Sequence, residues 1–136
     1  MTGLWGFGEG SDDAVISMAL ANPHNYVLKP QREGGGNNLY DSEMVAKLKT
    51  MGEEERQGYV LMQLIKPAPF YNELVRGGEI VFKGECVSEI GIFGASLGDE
   101  IIGGEEGGFI LRCKTKDTNE GGVAAGYAFL SSPELV

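Results

Sequence analysis

The sequence predicts an α+β fold, mostly antiparallel sheet with flanking helices and two mobile Gly/Ala-rich loops. Three observations predict it. Helical spacing is confined to the first half of the 136 residues, and strand-length apolar runs separated by glycine turns fill the second. Two stretches, 33–38 and 121–126, carry too little side chain to build a core and read as mobile loops. The length is that of one ordinary domain, able to bury about two thirds of its unfolded surface.

Each element follows from local pattern. Ser11 is a helix N-cap followed by Asp12 and Asp13, after which Val15, Ile16, Ala19 and Leu20 recur at helical spacing until Asn22-Pro23 stops the segment. Tyr26 to Lys29 is a strand that runs into the glycine stretch. Asp41 or Ser42 then caps a second helix with Met44, Val45, Leu48 and Met51 on one face, methionines that read as core. Tyr59 to Ile65 is a nearly continuous apolar run halted by Pro67 and Pro69, which predicts an interior strand. Ile80 to Phe82, Cys86 to Phe93 and Phe109 to Lys114 are three further strands, separated by turns at Gly77-Gly78, Lys83-Gly84 and 103–108. Neither an internal repeat nor a low-complexity linker divides the chain.

Composition excludes several function classes. With 11 basic and 20 acidic residues the formal net charge is -9, so nucleic acid and anionic membrane surfaces are not attracted. An anionic substrate has to be captured by local cations against that field. The 22 glycines are about twice the average share and predict modest stability. Cys86 and Cys113 lack metal-ligand spacing and read as small buried hydrophobes in a reducing compartment. No run of about 18 apolar residues exists, which points to a cytosolic protein. Gly-x-x-x-x-Gly-Lys-Ser/Thr is absent, and Gly6-Phe7-Gly8-Glu9-Gly10-Ser11 fails the dinucleotide fingerprint at its last glycine. His24, the one histidine, sits in a polar turn and reads as a surface residue.

The stretch with the most chemistry is Val27-Leu28-Lys29-Pro30-Gln31-Arg32-Glu33-Gly34-Gly35-Gly36-Asn37-Asn38-Leu39-Tyr40. Lys29, one step past an apolar strand, projects a point charge where a phosphate can lie. Gly34, Gly35 and Gly36 let backbone N–H groups close on anionic oxygens, and Glu33 supplies a hard oxygen ligand for magnesium. A flexible surface turn is the plainer reading of a glycine triplet. Ordering these residues costs roughly 1–2 kcal/mol each, so the segment is expected to be mobile when empty and ordered over a ligand. On the 109–114 strand, the two-residue period places Arg112 and Lys114 on one face and Leu111 and Cys113 on the other. Such a face suits a carboxylate or phosphate, and equally an ordinary solvated strand. Glu89, in an otherwise small or apolar strand, wants either a polar ligand or a strand cation.

From Lys29 to Tyr40 the sequence resembles, nearly residue for residue, the glycine-rich loop of eukaryotic glutathione synthetases, members of the ATP-grasp superfamily. Four further stretches agree in order: Thr2-Gly3-Leu4-Trp5, Tyr59-Val60-Leu61-Met62-Gln63, Ser88-Glu89-Ile90-Gly91-Ile92-Phe93-Gly94 and Gly121-Gly122-Val123-Ala124-Ala125-Gly126. The resemblance covers nearly the whole chain but only the C-terminal third of such enzymes. It implies an ATP-grasp-type lid and nucleotide-binding region, with a lid region at about 24–75 and C-terminal strands plus an alanine-rich loop at about 79–136.

The implied reaction is ATP-dependent ligation of γ-glutamylcysteine to glycine through an acyl phosphate, with ATP and Mg2+ as cofactors and a homodimer as the full-length assembly. By resemblance Lys29 holds ATP phosphates and Glu33 the magnesium. Gly34, Gly35, Asn38 and Tyr40 match further nucleotide contacts, Met62 and Ile65 pack on the adenine, and the backbone around Gln63 reads its edge. Glu89 matches a residue of the nucleotide pocket. Arg112 and Lys114 match residues contacting the peptide substrate or product, and Lys114 is also assigned to the nucleotide site. Val123 and Ala124 match residues closing over the product. Two departures stand out: Cys113 replaces the usual threonine, and Asp41 replaces the glycine that commonly follows the loop tyrosine, stiffening the loop's exit. Two alternatives accompany this reading. One is a truncated, catalytically inactive relative acting as a nucleotide-binding or interaction protein, and the other is a glycine-rich β domain with no nucleotide site.

Overall fold

The computed structural model describes residues 2–8, 12–32, 36–102 and 108–133. It forms two compact units, Met1–Lys66 and Pro67–Val136. The predicted cap at Ser11 and the loop residues Glu33, Gly34 and Gly35 lie outside the described residues.

In the first unit, strands β1 (Leu4–Gly6), β2 (Tyr26–Pro30), β3 (Leu39–Tyr40) and β4 (Tyr59–Gln63) form one antiparallel sheet in the order β1-β4-β2-β3. Helices α1 (Asp12–Ala21) and α2 (Asp41–Thr50) and a single helical turn, α3 (Glu53–Arg56), complete the unit. The predicted helix faces are the buried ones: Ile16 and Ala19 from α1, and Met44, Leu48 and Met51 from α2 and its end, pack with Leu28 and Leu61. Trp5 and Tyr26 close this core edge-on, with ring centroids 5.9 Å apart. β4 is interior, as its apolar run predicts, but it ends at Gln63, leaving Ile65 beyond it.

The cap prediction for α2 is corrected. Tyr40, extended at φ -119 and ψ 157, holds the N-cap position and makes no side-chain cap bond. The helix springs directly from β3, so Asp41 falls inside the first turn, where its carboxylate meets the helix dipole rather than an orphan N–H.

In the second unit, β5 (Phe70–Arg76), β6 (Glu79–Phe93), β9 (Gly108–Thr115) and β10 (Phe129–Ser131) form an antiparallel sheet in the order β10-β9-β6-β5. A separate two-stranded hairpin pairs β7 (Ala95–Leu97) with β8 (Glu100–Ile102). Gly77 and Gly78 form the β5–β6 turn, as expected. The expected break at Lys83-Gly84 does not occur, because 80–82 and 86–93 belong to one 15-residue strand. Gly84 keeps its ladder position opposite Asn72, Lys83 pairs opposite Glu73 and forms an ion pair with it, and the register shift falls instead at Val81 of β6, an extra residue between Ile80 opposite Val75 and Phe82 opposite Leu74. β5 adds a strand that the sequence pattern does not announce: Pro67 and Pro69 halt the preceding apolar run, and a new strand starts directly after them. The core of this unit is small: Leu74, Cys86 and Cys113, flanked by Phe82 and Phe129. Both cysteines are free and buried, as predicted.

This sheet is strongly curled. β5 and β10 are its opposite edges, which in a flat sheet stand roughly 14 Å apart across three inter-strand spacings, yet the guanidinium of Arg76 on β5 lies 4.5 Å from the ring centroid of Phe129 on β10.

Candidate functional site

Strand register decides which side chains of the first unit share a face. Residues paired across an antiparallel ladder point to the same side, and side chains alternate along each strand. Val27 pairs with both Tyr40 and Met62, and Lys29 pairs with Val60. Lys29, Tyr40 and Met62 therefore line one face, together with Val27. The opposite face holds Leu28, Leu61, Trp5 and Tyr26, the side packed under the helices. Three of the predicted nucleotide residues thus project from the face turned away from the helical core, where Lys29, Tyr40 and Met62 are each half-buried.

The other nucleotide candidates of this unit fall differently. Asn38 directly precedes β3. Gln63 stands at the opposite parity to Met62, and its backbone N–H donates to the Gly3 carbonyl at 2.9 Å. Its side-chain Oε1 accepts from the Gly3 N–H at 3.4 Å. Ile65, past the strand end, is 66% exposed. Glu33, Gly34 and Gly35 lie outside the described residues. Among the described residues no cluster of three or more His, Cys, Asp or Glu side chains is arranged to hold a metal ion. A shallow hollow lined by Gly8, Asp12, Asp13, Glu53, Arg56 and Gln57 contains none of the predicted site residues.

In the second unit, register pairs Glu89 with Arg112 and Val87 with Lys114, so Glu89 and both cations share one face of the sheet. The core face carries Cys86 and Cys113. Arg112 Nη2 forms an ion pair with Glu89 Oε1, and Arg112 Nη1 donates to the Gly121 carbonyl at 3.3 Å. Glu89 is 63% exposed on its side chain, so its carboxylate is not the costly buried charge that its apolar strand suggested. Lys114 Nζ donates to the carbonyls of Asn119 and Glu120 at 3.0 and 3.2 Å. Burial pushes the Lys114 ammonium below its ordinary range; Glu89 and Glu120 oppose that shift and Arg112 adds to it.

The alanine-rich loop is more structured than its composition suggests. Gly126 N–H donates to Val123 O at 2.9 Å, and the N–H groups of Tyr127 and Ala128 converge on Gly122 O at 3.0 and 3.3 Å. Gly126 adopts φ +83, a left-handed conformation that glycine takes without strain. Ala124 and Ala125 stay exposed at the apex and Val123 is half-buried. A residue not identified from sequence holds the exit: Arg76 Nη2 donates to Gly126 O at 3.2 Å. Recognising β5 as a strand was the signal that could have found it.

Comparison with known proteins bears on the chain as a whole. Residues 1–135 match the family described as eukaryotic glutathione synthase, ATP binding domain. The chain is 49% identical over 139 residues to glutathione synthetase of Xenopus laevis, covering 99% of this chain and 29% of that protein. To glutathione synthetase of Homo sapiens it is 47% identical over 135 residues, covering 96% of this chain and 28% of the relative. The chain thus spans less than a third of the length of these relatives. A solved apo structure of a glutathione synthetase like-effector from Globodera pallida superposes with a TM-score of 0.61 at 24% identity, covering 99% of this chain and 27% of that one, a likeness of fold. By its sequence, the chain belongs to the eukaryotic glutathione synthase ATP-binding domain family.

Proposed function

We propose that this chain supplies the ATP-handling and product-contacting portion of an ATP-dependent ligase that joins γ-glutamylcysteine to glycine. The observation that supports it best is the common sheet face of Lys29, Tyr40 and Met62. A cation beside an aromatic and a flexible apolar side chain suits a nucleotide, with Lys29 against phosphate and Met62 against the base. Gly34, Gly35 and Asn38 would add backbone and amide contacts to the phosphates, the Gln63 backbone and Ile65 would border the adenine, and Glu89 would complete the nucleotide contacts. Glu33 would hold a magnesium ion, which when bound neutralises phosphate charge.

Arg112 and Lys114 would receive the carboxylate of the peptide or its acyl phosphate, and Val123 and Ala124 would close over the product. In this reaction ATP phosphorylates the cysteinyl carboxylate and the glycine amine then displaces phosphate. Each step develops negative oxygen charge, so the residues act by placement, charge stabilisation and exclusion of water. The free buried thiols fit a reducing compartment such as the cytosol.

Titration with Mg-ATP tests this reading. The chain should bind weakly, and Lys29→Ala should weaken binding by about tenfold, as removal of one charge-assisted phosphate contact implies. Equal binding by both proteins removes Lys29 from the site, and no binding by either leaves a β-rich domain without a nucleotide. A second reading is a nucleotide-binding relative without catalysis. It is distinguished by Mg-ATP binding with no formation of ADP or glutathione.

A further inference from the structure

The cations of the second unit hold the alanine-rich loop at both ends. Lys114 and Arg112 donate to the carbonyls of Asn119, Glu120 and Gly121 at its entry. Arg76 donates to the carbonyl of Gly126 at its exit. The two ends are not equivalent. At the entry, Arg112 also pairs with Glu89, and Lys114 carries a charge partly withdrawn from water. An anion reaching these two side chains competes with the loop carbonyls for the same N–H donors. At the exit, Arg76 lies over Phe129, which pairs with Cys113 on the sheet face opposite Glu89 and Arg112. The exit residue is also the one whose left-handed backbone, φ +83, turns the chain back into β10.

We propose that Arg76 is a positioning residue that fixes the exit of the Gly121–Gly126 loop, so that the loop pivots at Gly126 when an anionic ligand takes Arg112 and Lys114 from the entry carbonyls. The functional half of this proposal rests on the reading that Val123 and Ala124 close over product. Phe129 serves as the platform: its ring orients the planar guanidinium and leaves an edge N–H for the Gly126 carbonyl. A lysine can reach the same carbonyl but lacks the planar face, so it should restore the anchor in part.

Amide hydrogen exchange on the full chain decides the matter, with Arg76→Met, Arg76→Lys and Phe129→Leu compared with the unsubstituted protein. Arg76→Met should speed exchange at Gly126, Tyr127 and Ala128 by about tenfold, the loss expected for one charge-assisted bond. The β6–β9 ladder should be unchanged, Phe129→Leu should give a smaller acceleration at the same amides, and Arg76→Lys should recover part of the protection. Unchanged loop exchange in Arg76→Met overturns the proposal. So does a uniform acceleration across the ladder, which would make Arg76 only a staple between sheet edges.

Glutathione is the probe for the functional half. It should protect the loop amides of the unsubstituted chain, and Arg76→Met should need about tenfold more for the same protection. Equal requirement in both proteins overturns positioning. Absence of protection in the unsubstituted chain defeats the product reading itself, and the anchor is then judged on the ligand-free exchange alone.

Discussion

Asp41 holds φ 40, the one left-handed non-glycine backbone among the described residues. Glycine enters that region freely, whereas a residue with a Cβ meets the following carbonyl, at roughly 0.5–1 kcal/mol for aspartate. The family resemblance places a glycine here, and the geometry explains why. Asp41→Gly should therefore raise the melting temperature by a few degrees, as about 0.5–1 kcal/mol implies for a chain of this size. A lowered melting temperature would mean that the first-turn carboxylate on α2 outweighs the strain. Cys86 is a second informative residue. Burial first, and then the neighbouring Cys113 thiol, pushes its thiol from the ordinary 9.0 up to about 11. Between those values the unfolded chain has released a proton that the folded chain keeps, so stability complete below pH 9 is lost as pH rises toward 11. Urea midpoints measured across that window should fall, and the fall should be shallower in Cys86→Ala. Parallel declines would assign the loss to other groups.

Among the elements, the β5–β6 hairpin shows how local geometry sets register. Gly77 and Gly78 have φ +62 and +85, both left-handed, which gives a two-residue turn whose twist matches the strands it joins. Gly78→Ala has open space for its new methyl group, so its cost is conformational alone, about 1 kcal/mol, readable as a lowered denaturation midpoint with unchanged slope. A neutral result would show that the turn relaxes without penalty. The two longer helices were legible because a 3.6-residue apolar period builds one continuous face on a helix and scatters across both faces of a strand, and the buried side of α2 is the predicted one. Lys83-Gly84 was not legible in the same way, since a charged residue and a glycine together look like a turn. In the ladder, however, the glycine faces Asn72 and the lysine finds Glu73.

For the whole molecule, the distal half of the β6–β9 ribbon leaves many apolar side chains in solvent. Ile90, Ile92, Phe93, Phe109 and Ile110 are all exposed, Ile92 at 79%, and Leu97 and Ile101 of the β7–β8 hairpin add to them. Exposed apolar surface favours association, while a net charge of -9 opposes it through self-repulsion. Salt screens the second and not the first. Sedimentation of the isolated chain should therefore show average mass rising with sodium chloride, and Ile92→Lys should reduce the rise. A mass independent of salt would show that charge does not restrain association.

By itself the sequence determined the family, the two main helices, the interior strand β4, the burial of both cysteines and the pairing of Arg112 with Lys114 on one strand face. These follow from short-range periodicity and from motifs whose residues are contiguous, and both survive without knowledge of neighbours. Only the tertiary structure decided that Lys29, Tyr40 and Met62 share a sheet face, because that depends on register between strands separated by tens of residues. It likewise decided that Glu89 is tied to Arg112 and that Arg76 reaches the alanine-rich loop. Those contacts arise from cross-strand pairing and from the curl of a sheet whose edges meet, and neither is written in the local pattern of any one strand.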